Sequence, residues 1–239
     1  MILLYLSSLF YELTTHYPSS WIPSYIDDVA IVVQSKSKAY NARCLEAAAR
    51  TAFKWAENNA VRFDDSKSEM MHFHNKQNSD TTDDEKIILP NGTTISPGTK
   101  GIGPDMVRWI GIWFDRKINF KHHVMLKAAS GKRALGALKS LANTESGLTP
   151  SAVRQLYNAC VVPVCDFGAE VWWMGQAAYQ QKFETVQNMA LRCILGASRT
   201  TPTIALHNES ALPPVAVRLN HMRRKYAIRI LIFPEMHPI

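Results

Sequence analysis

Ile22-Pro23-Ser24-Tyr25-Ile26-Asp27-Asp28-Val29-Ala30-Ile31-Val32-Val33 is the stretch on which the reading of this chain turns. Two short apolar arms flank a turn that carries two adjacent carboxylates. The β-branched run from Val29 to Val33 predicts a strand buried on both faces. Asp27 and Asp28 then stand at a hairpin tip in an otherwise apolar setting, where neighbouring like charges are unfavourable until a cation neutralises them. Hard oxygen donors side by side suit Mg²⁺, which keeps several waters and takes one or two carboxylates together with substrate phosphates. A two-metal site of that kind supports in-line nucleotidyl transfer by holding the attacking and leaving oxygens. Asp is equally a common turn residue, so the same pair can be a plain polar turn. The stretch alone leaves both readings open.

The rest of the chain bears on that choice. Its 239 residues allow one large domain or two small ones, with length enough for a core. An apolar share of 46% and a charged share of 20% are those of an ordinary globular protein. The net charge of +7 is unevenly placed: residues 1–115 hold 11 Lys/Arg against 14 Asp/Glu, and residues 116–239 hold 16 against 6. An acidic first half followed by a basic second half suits a protein that handles polyanions. Cys44, Cys160, Cys165 and Cys193 show no zinc spacing and no CxxC pair, which points to free thiols without disulfide partners and an intracellular setting, nuclear or cytoplasmic. Met1 to Leu13 is too short to span a bilayer and lacks a signal-peptide cleavage site, so it reads as a buried helix and no membrane partner is expected.

In chain order, Tyr17-Pro18-Ser19-Ser20 separates that first helix from the acidic hairpin. Leu45, Ala49, Ala52, Phe53 and Ala56 recur at helical spacing before Asn59. A loop, Phe63-Asp64-Asp65-Ser66-Lys67-Ser68-Glu69, leads into a short strand, Met70 to Phe73. Asn75 to Lys86 reads as a polar insertion. Asn91-Gly92 between β-formers is a hairpin signal, and Arg108 to Asp115 reads as one further strand. Beyond Phe120 the pattern is helical: one long helix through Leu141 with Gly131 and Gly136 as weak points, a helix opened by Thr149-Pro150 and ending near Pro163, another starting near Asp166, one closed by Gly196, and a last basic helix over residues 217–232.

Several phrases now fall in order: Tyr25-Ile26-Asp27-Asp28; Ser66-Lys67-Ser68-Glu69 with Phe73; Arg108-Trp109-Ile110-Gly111-Ile112-Trp113-Phe114-Asp115; Leu156 to Pro163; Gly168-Ala169-Glu170-Val171-Trp172-Trp173; Gln187 to Arg192; Ile194 to Ala197; and Arg199-Thr200-Thr201-Pro202. Together they resemble the reverse transcriptase of LINE-type (non-LTR) retrotransposons, and are similar to copies found in filamentous fungi. The resemblance implies an α+β fold: an incomplete polymerase palm over residues 1–119, an antiparallel sheet with helices, then a helical thumb and connection region over residues 120–239. It implies that Asp27 is a Mg²⁺ ligand and Asp28 its supporting neighbour. Lys67 would protonate the pyrophosphate leaving group, a task that suits a positioned ammonium. Trp109, Ile110 and Gly111 would form the strand that grips the primer terminus, Gly permitting close backbone approach. Lys121, Lys132, Arg133, Lys139, Arg223, Arg224 and Lys225 would hold phosphates. The implied partners are an RNA template, a DNA primer and dNTPs. The family's finger region and first palm aspartate precede the part matched here, so the expectation is a palm-plus-thumb fragment, RNA-directed DNA polymerase in kind and inactive alone.

Other features have plainer readings beside sharper ones. His72 and His74 could share a strand face, but two imidazoles without a third ligand are poor evidence for a metal. His122-His123 reads as a polar edge, Asp64-Asp65 as a solvated turn, and Trp172-Trp173 as helix packing in preference to base stacking. Two alternatives to the polymerase fragment stay open: a nucleic-acid-binding module without catalysis, and a retrotransposon relic with uncovered sheet edges.

Overall fold

Between Ser20 and Val33 the chain folds back as a single hairpin that Pro23 interrupts. β1 (Ser20–Trp21) and β2 (Ser24–Tyr25) pair antiparallel with β4 (Val32–Val33) and β3 (Asp28–Val29) respectively. Ser20 faces Val33, Trp21 faces Val32, Ser24 faces Val29 and Tyr25 faces Asp28, so one register runs through both pairs. Pro23 has no N–H to give the ladder, and pairing lapses there. Its carbonyl still accepts the Ala30 N–H at 2.9 Å. The computed structural model describes residues 2–73, 85–98, 105–142 and 147–233, with side chains from Tyr5 onward; His74 and most of the polar insertion lie outside the described residues.

The expected strand over Val29–Val33, buried on both faces, does not form. Ile22 and Ile31 pack against the core on one face, whereas Trp21 and Val32 on the other are 63% and 43% exposed. An unbroken apolar run signals two-sided burial only where a second layer exists, and the described residues supply one. That layer consists of α1 (Ile2–His16) and α2 (Lys38–Asn58). Leu6, Leu9 and Leu13 of α1 meet Ala48, Ala52, Trp55 and Ala56 of α2, whose small side chains let the helices approach closely. The Trp55 indole N–H donates to Ser8 Oγ at 3.0 Å, and the Ser37 hydroxyl caps α2 by accepting from the Tyr40 N–H.

A second face of α2, with Ala42 buried and Leu45, Ala49 and Phe53 partly so, packs on Met70, Ile87, Leu89 and Ile95. The last two strands of that cluster are β5 (Ile87–Ile88) and β6 (Thr94–Ile95), the hairpin expected at Asn91-Gly92, where Gly92 takes φ +84°. Met70 makes only isolated bridges, to Pro97 and Gly98, in place of the expected strand. Arg108–Asp115 is likewise not one strand. It is a hairpin of β7 (Met106–Trp109) and β8 (Ile112–Asp115), turned at Ile110 and Gly111 with φ of 47° and 77°. Successive positive φ angles are the type I′ pattern, whose twist matches paired strands. The turn was hidden because Ile is not a turn residue. Among the described residues the strands form separate two-stranded pairs, not one continuous sheet, and the whole is α+β.

The chain divides into two compact units, Met1–Ile118 and Asn119–Ile239. The second is helical. α3 (Lys121–Leu141) packs on α5 (Val162–Asp166) and α7 (Ala177–Leu195). α4 (Pro150–Leu156) opens as expected, Thr149 Oγ1 accepting from the Ala152 N–H and Pro150 occupying the first turn. The helix does not stop near Pro163. It continues through a π-helical turn, Tyr157–Val161, in which the Val162 N–H reaches back to the Tyr157 carbonyl. The wider turn accommodates a proline that cannot donate and whose ring would crowd an α-helical turn. α6 (Ala169–Trp172) follows, Gly196 closes α7 at φ 60°, and α8 (Thr203–Ser210), which no periodicity announced, precedes α9 (Val215–Ile232).

Trp172 and Trp173 are fully buried, as packing required. Trp172 stacks on Phe183 at 5.4 Å, and the two indole N–H groups donate to the Phe167 carbonyl at 3.0 Å and Asn220 Oδ1 at 2.8 Å. Gly131 is no weak point: a Cβ there would stand 2.2 Å from Cys165 Sγ, so its absence lets α3 close on α5. Arg218 of α9 ties the bundle together. Its Nε and Nη2 donate to the two oxygens of buried Asp166 at 2.5 and 3.0 Å, and its Nη1 to Gln187 Oε1 at 2.6 Å.

Candidate functional site

The acidic hairpin places its carboxylates in the open. Ile26 and Asp27 form the turn between β2 and β3, with Ile26 at φ 56°, a left-handed conformation that costs a branched residue about 1–2 kcal/mol. Asp27 and Asp28 are exposed. Among the described residues neither carboxylate has a hydrogen-bond or ion-pair partner. Their oxygens are thus hard donors that no protein group has claimed, a fit to Mg²⁺ on donor chemistry. Two carboxylates make an incomplete set: no cluster of three or more acidic, His or Cys side chains suited to a metal occurs among the described residues.

Lys67 sits in a 3₁₀ turn, Asp65–Lys67, capped by Asp64, which accepts from the Ser66 N–H. Its ammonium pairs with Asp64 at 3.2 Å and remains largely exposed. The Ser66 hydroxyl, then Lys67, hold the Asp64 carboxyl below its ordinary range. Asp64-Asp65 is accordingly a solvated turn, with Asp65 also accepting from the Asn91 amide. Glu69, at the end of this loop, accepts the Arg108 N–H at 3.4 Å, which links the lysine loop to the β7–β8 hairpin. In that hairpin the Arg108 guanidinium lies 5.9 Å from the Trp113 ring centre. Ile110 projects at the tip, 38% exposed, and the Trp109 indole N–H is buried without an acceptor among the described residues.

In the helical unit Lys121, Lys132, Arg133 and Lys139 are exposed along α3, and Arg223, Arg224 and Lys225 along α9. His123 corrects the expectation of a polar edge. It is wholly buried, its Nε2 bonded to the Phe167 carbonyl at 3.2 Å, and burial holds its pKa below the ordinary imidazole value. His72 is also buried, with Nε2 at 3.0 Å from the Glu85 carbonyl, a packing role. Two groups escaped the sequence reading: the Arg218–Asp166–Gln187 network, whose members lie on three helices, and Arg192 with Arg199, which no charge run marks.

Comparison with known proteins finds relatives over most of the chain. The chain is 23% identical over 214 residues to the "RNA-directed DNA polymerase from mobile element jockey" of Drosophila melanogaster, covering 90% of this chain and 22% of that protein. The "Probable RNA-directed DNA polymerase from transposon BS" of the same organism is 23% identical over 212 residues, 87% of this chain and 22% of its own length. The chain is homologous to the reverse transcriptases of non-LTR retrotransposons. The "Probable RNA-directed DNA polymerase from transposon X-element", again from Drosophila melanogaster, matches the chain at 21% over 215 residues, 90% of the chain and 22% of the relative. The chain thus spans about a fifth of the length of these relatives, and their organism gives no support to the narrower likeness to fungal copies. No family model and no solved structure matches the chain. Among its described residues no helix is long and apolar enough to cross a membrane.

Proposed function

We propose that this chain is the palm-and-thumb part of an RNA-directed DNA polymerase, with residues 1–119 carrying polymerase residues and residues 120–239 holding the template–primer duplex. The observation that carries the reading is the pair of carboxylates, Asp27 and Asp28, without partners among the described residues at the tip of a strained hairpin, in a chain homologous to such polymerases over about nine-tenths of its length. Strain at a turn is retained where the position has a use. Asp27 and Asp28 would hold Mg²⁺, which when bound supplies charge neutralisation at the reacting phosphate oxygens. Lys67 would deliver a proton to the leaving pyrophosphate, with Asp64 orienting its ammonium. Trp109, Ile110 and Gly111 would support the primer terminus at the tip of the β7–β8 hairpin. Lys121, Lys132, Arg133, Lys139, Arg223, Arg224 and Lys225 would neutralise duplex phosphates.

Two acids with no third metal-type ligand clustered beside them among the described residues support a chain that does not polymerise by itself. Purified protein given poly(rA), oligo(dT), dTTP and Mg²⁺ is expected to show no extension. Grafted into the jockey polymerase in place of the stretch it matches, it is expected to support extension, and Asp27→Asn to lower the rate by on the order of 10²–10³. A graft that extends equally well with the Asp27→Asn substitution overturns the catalytic reading and leaves duplex binding by the basic unit as the function.

A further inference from the structure

At the ends of α3 and α7 the helical unit encloses an open cleft of about 760 Å³, lined by Lys139, Met189, Arg192, Cys193, Gly196 and Arg199 among others. Among the described residues its charge is of one sign: three cations line it and no carboxylate does. Lys139 and Arg199 are exposed, and among the described residues neither side chain has a hydrogen-bond or ion-pair partner. Arg192 differs. Its Nη1 donates to the Asn188 carbonyl at 3.1 Å and its Nη2 to the Thr201 carbonyl at 3.3 Å, which fastens the loop after α7 to the helix, while its Nε is buried without an acceptor among the described residues. The same loop brings the Ser198 and Thr200 hydroxyls within 3.0 Å of each other beside Arg199. Gly196 leaves open space where a side chain would stand.

Cations gathered on a concave surface repel one another until an anion enters. Among the described residues no aromatic side chain lines the cleft, so they offer neither a stacking platform for bases nor the aromatic anchors typical of a peptide-binding hot spot. Charge and hydroxyl donors without base contacts match phosphodiester groups, which are read independently of sequence. We infer that this cleft seats the sugar–phosphate backbone of a nucleic acid, with Lys139 and Arg199 contacting phosphates and Arg192 positioning the loop that carries Arg199. The inference rests on the reading of the helical unit as a duplex holder and narrows it to one place.

The test is fluorescence anisotropy of the purified full chain with a short labelled RNA–DNA duplex over a series of salt concentrations, without Mg²⁺. Lys139→Ala/Arg199→Ala is expected to weaken binding roughly tenfold or more at low salt and to reduce the slope of log K against log salt by about 1.8, about 0.9 for each lost phosphate contact. Lys36→Ala/Lys182→Ala removes the same charge at exposed positions outside the cleft and is expected to keep the wild-type slope. Equal slopes for the two double variants overturn the cleft and leave general electrostatic binding. A wild-type chain that binds no duplex at any salt overturns the broader reading as well. Should the cleft variant fail to fold, iodoacetamide footprinting of the wild type decides: bound duplex should slow alkylation of Cys193 severalfold and leave exposed Cys160 unchanged, and equal rates with and without duplex overturn the assignment.

Discussion

Gly131 shows how much a single position can carry. Glycine in mid-helix costs roughly 0.5–1 kcal/mol relative to Ala in a free helix, which made this residue look like a flaw in α3. Its neighbour across the interface, Cys165 Sγ, stands where a Cβ would lie, 2.2 Å away. Gly131→Ala is therefore expected to destabilise the helical unit by about 1–3 kcal/mol, as overpacking does, in urea unfolding followed by circular dichroism. Cys165→Ala should restore most of that loss in the double variant, because the next atom of that residue is the Cys165 Cβ at 3.9 Å, an ordinary contact. Failure of the second substitution to rescue the first would locate the cost in the helix and not in the interface. Ile26 and Ile110 teach the complementary lesson: both occupy left-handed turn positions that a reader of residue types assigns to Gly, Asn or Asp.

At the scale of elements, the joint between α5, α7 and α9 depends on an ion pair whose cost is high. Burial pushes the Asp166 carboxyl above its ordinary value even though Arg218 pulls it down. Removing the cation by Arg218→Met leaves that carboxylate buried and unpaired, and a loss of about 3–5 kcal/mol is expected at neutral pH. The sign of the pH dependence follows. A carboxyl whose folded-state pKa exceeds its unfolded value near about 3.9 contributes its full stability below that unfolded value and loses it as pH rises through the folded one. Without Arg218 the folded value rises further, so the deficit of the variant against wild type should shrink on acidification from neutrality to about pH 4. Parallel urea titrations check this, and a deficit that stays constant or grows in acid refutes the account. The π-helical turn ahead of α5 belongs to the same joint, since it keeps one helix running past Pro163 and so delivers Cys165 and Asp166 to the interior.

For the molecule as a whole, the two units are built differently. In residues 119–239 the contacts run from α3 through α7 to α8 and α9 without a break, around Leu135, Trp172, Phe183 and Leu191. Residues 1–118 have small clusters on two adjacent faces of α2 and, among the described residues, only two-stranded pairs, and such pairs are marginal by themselves. Expressed separately, residues 119–239 are expected to melt in one cooperative calorimetric transition, and residues 1–118 to melt broadly and bind a dye for exposed apolar surface. The reverse order would show that the strand pairs are better supported than two-stranded pairing suggests. Much of this architecture was legible in the sequence. Thr149-Pro150, Asn91-Gly92 and Gly196 act through the backbone within a few residues, so cap, turn and stop could be read where they stand, and the order of short phrases was enough to point to the non-LTR reverse transcriptases to which the chain is homologous. Tertiary structure alone decided that Val29–Val33 is covered on one face, that Arg108–Asp115 turns back at Ile110, that His123 is interior, and that Lys139, Arg192 and Arg199 converge. Burial and convergence depend on what another segment brings to a residue, and a chain read in one dimension does not contain that distance.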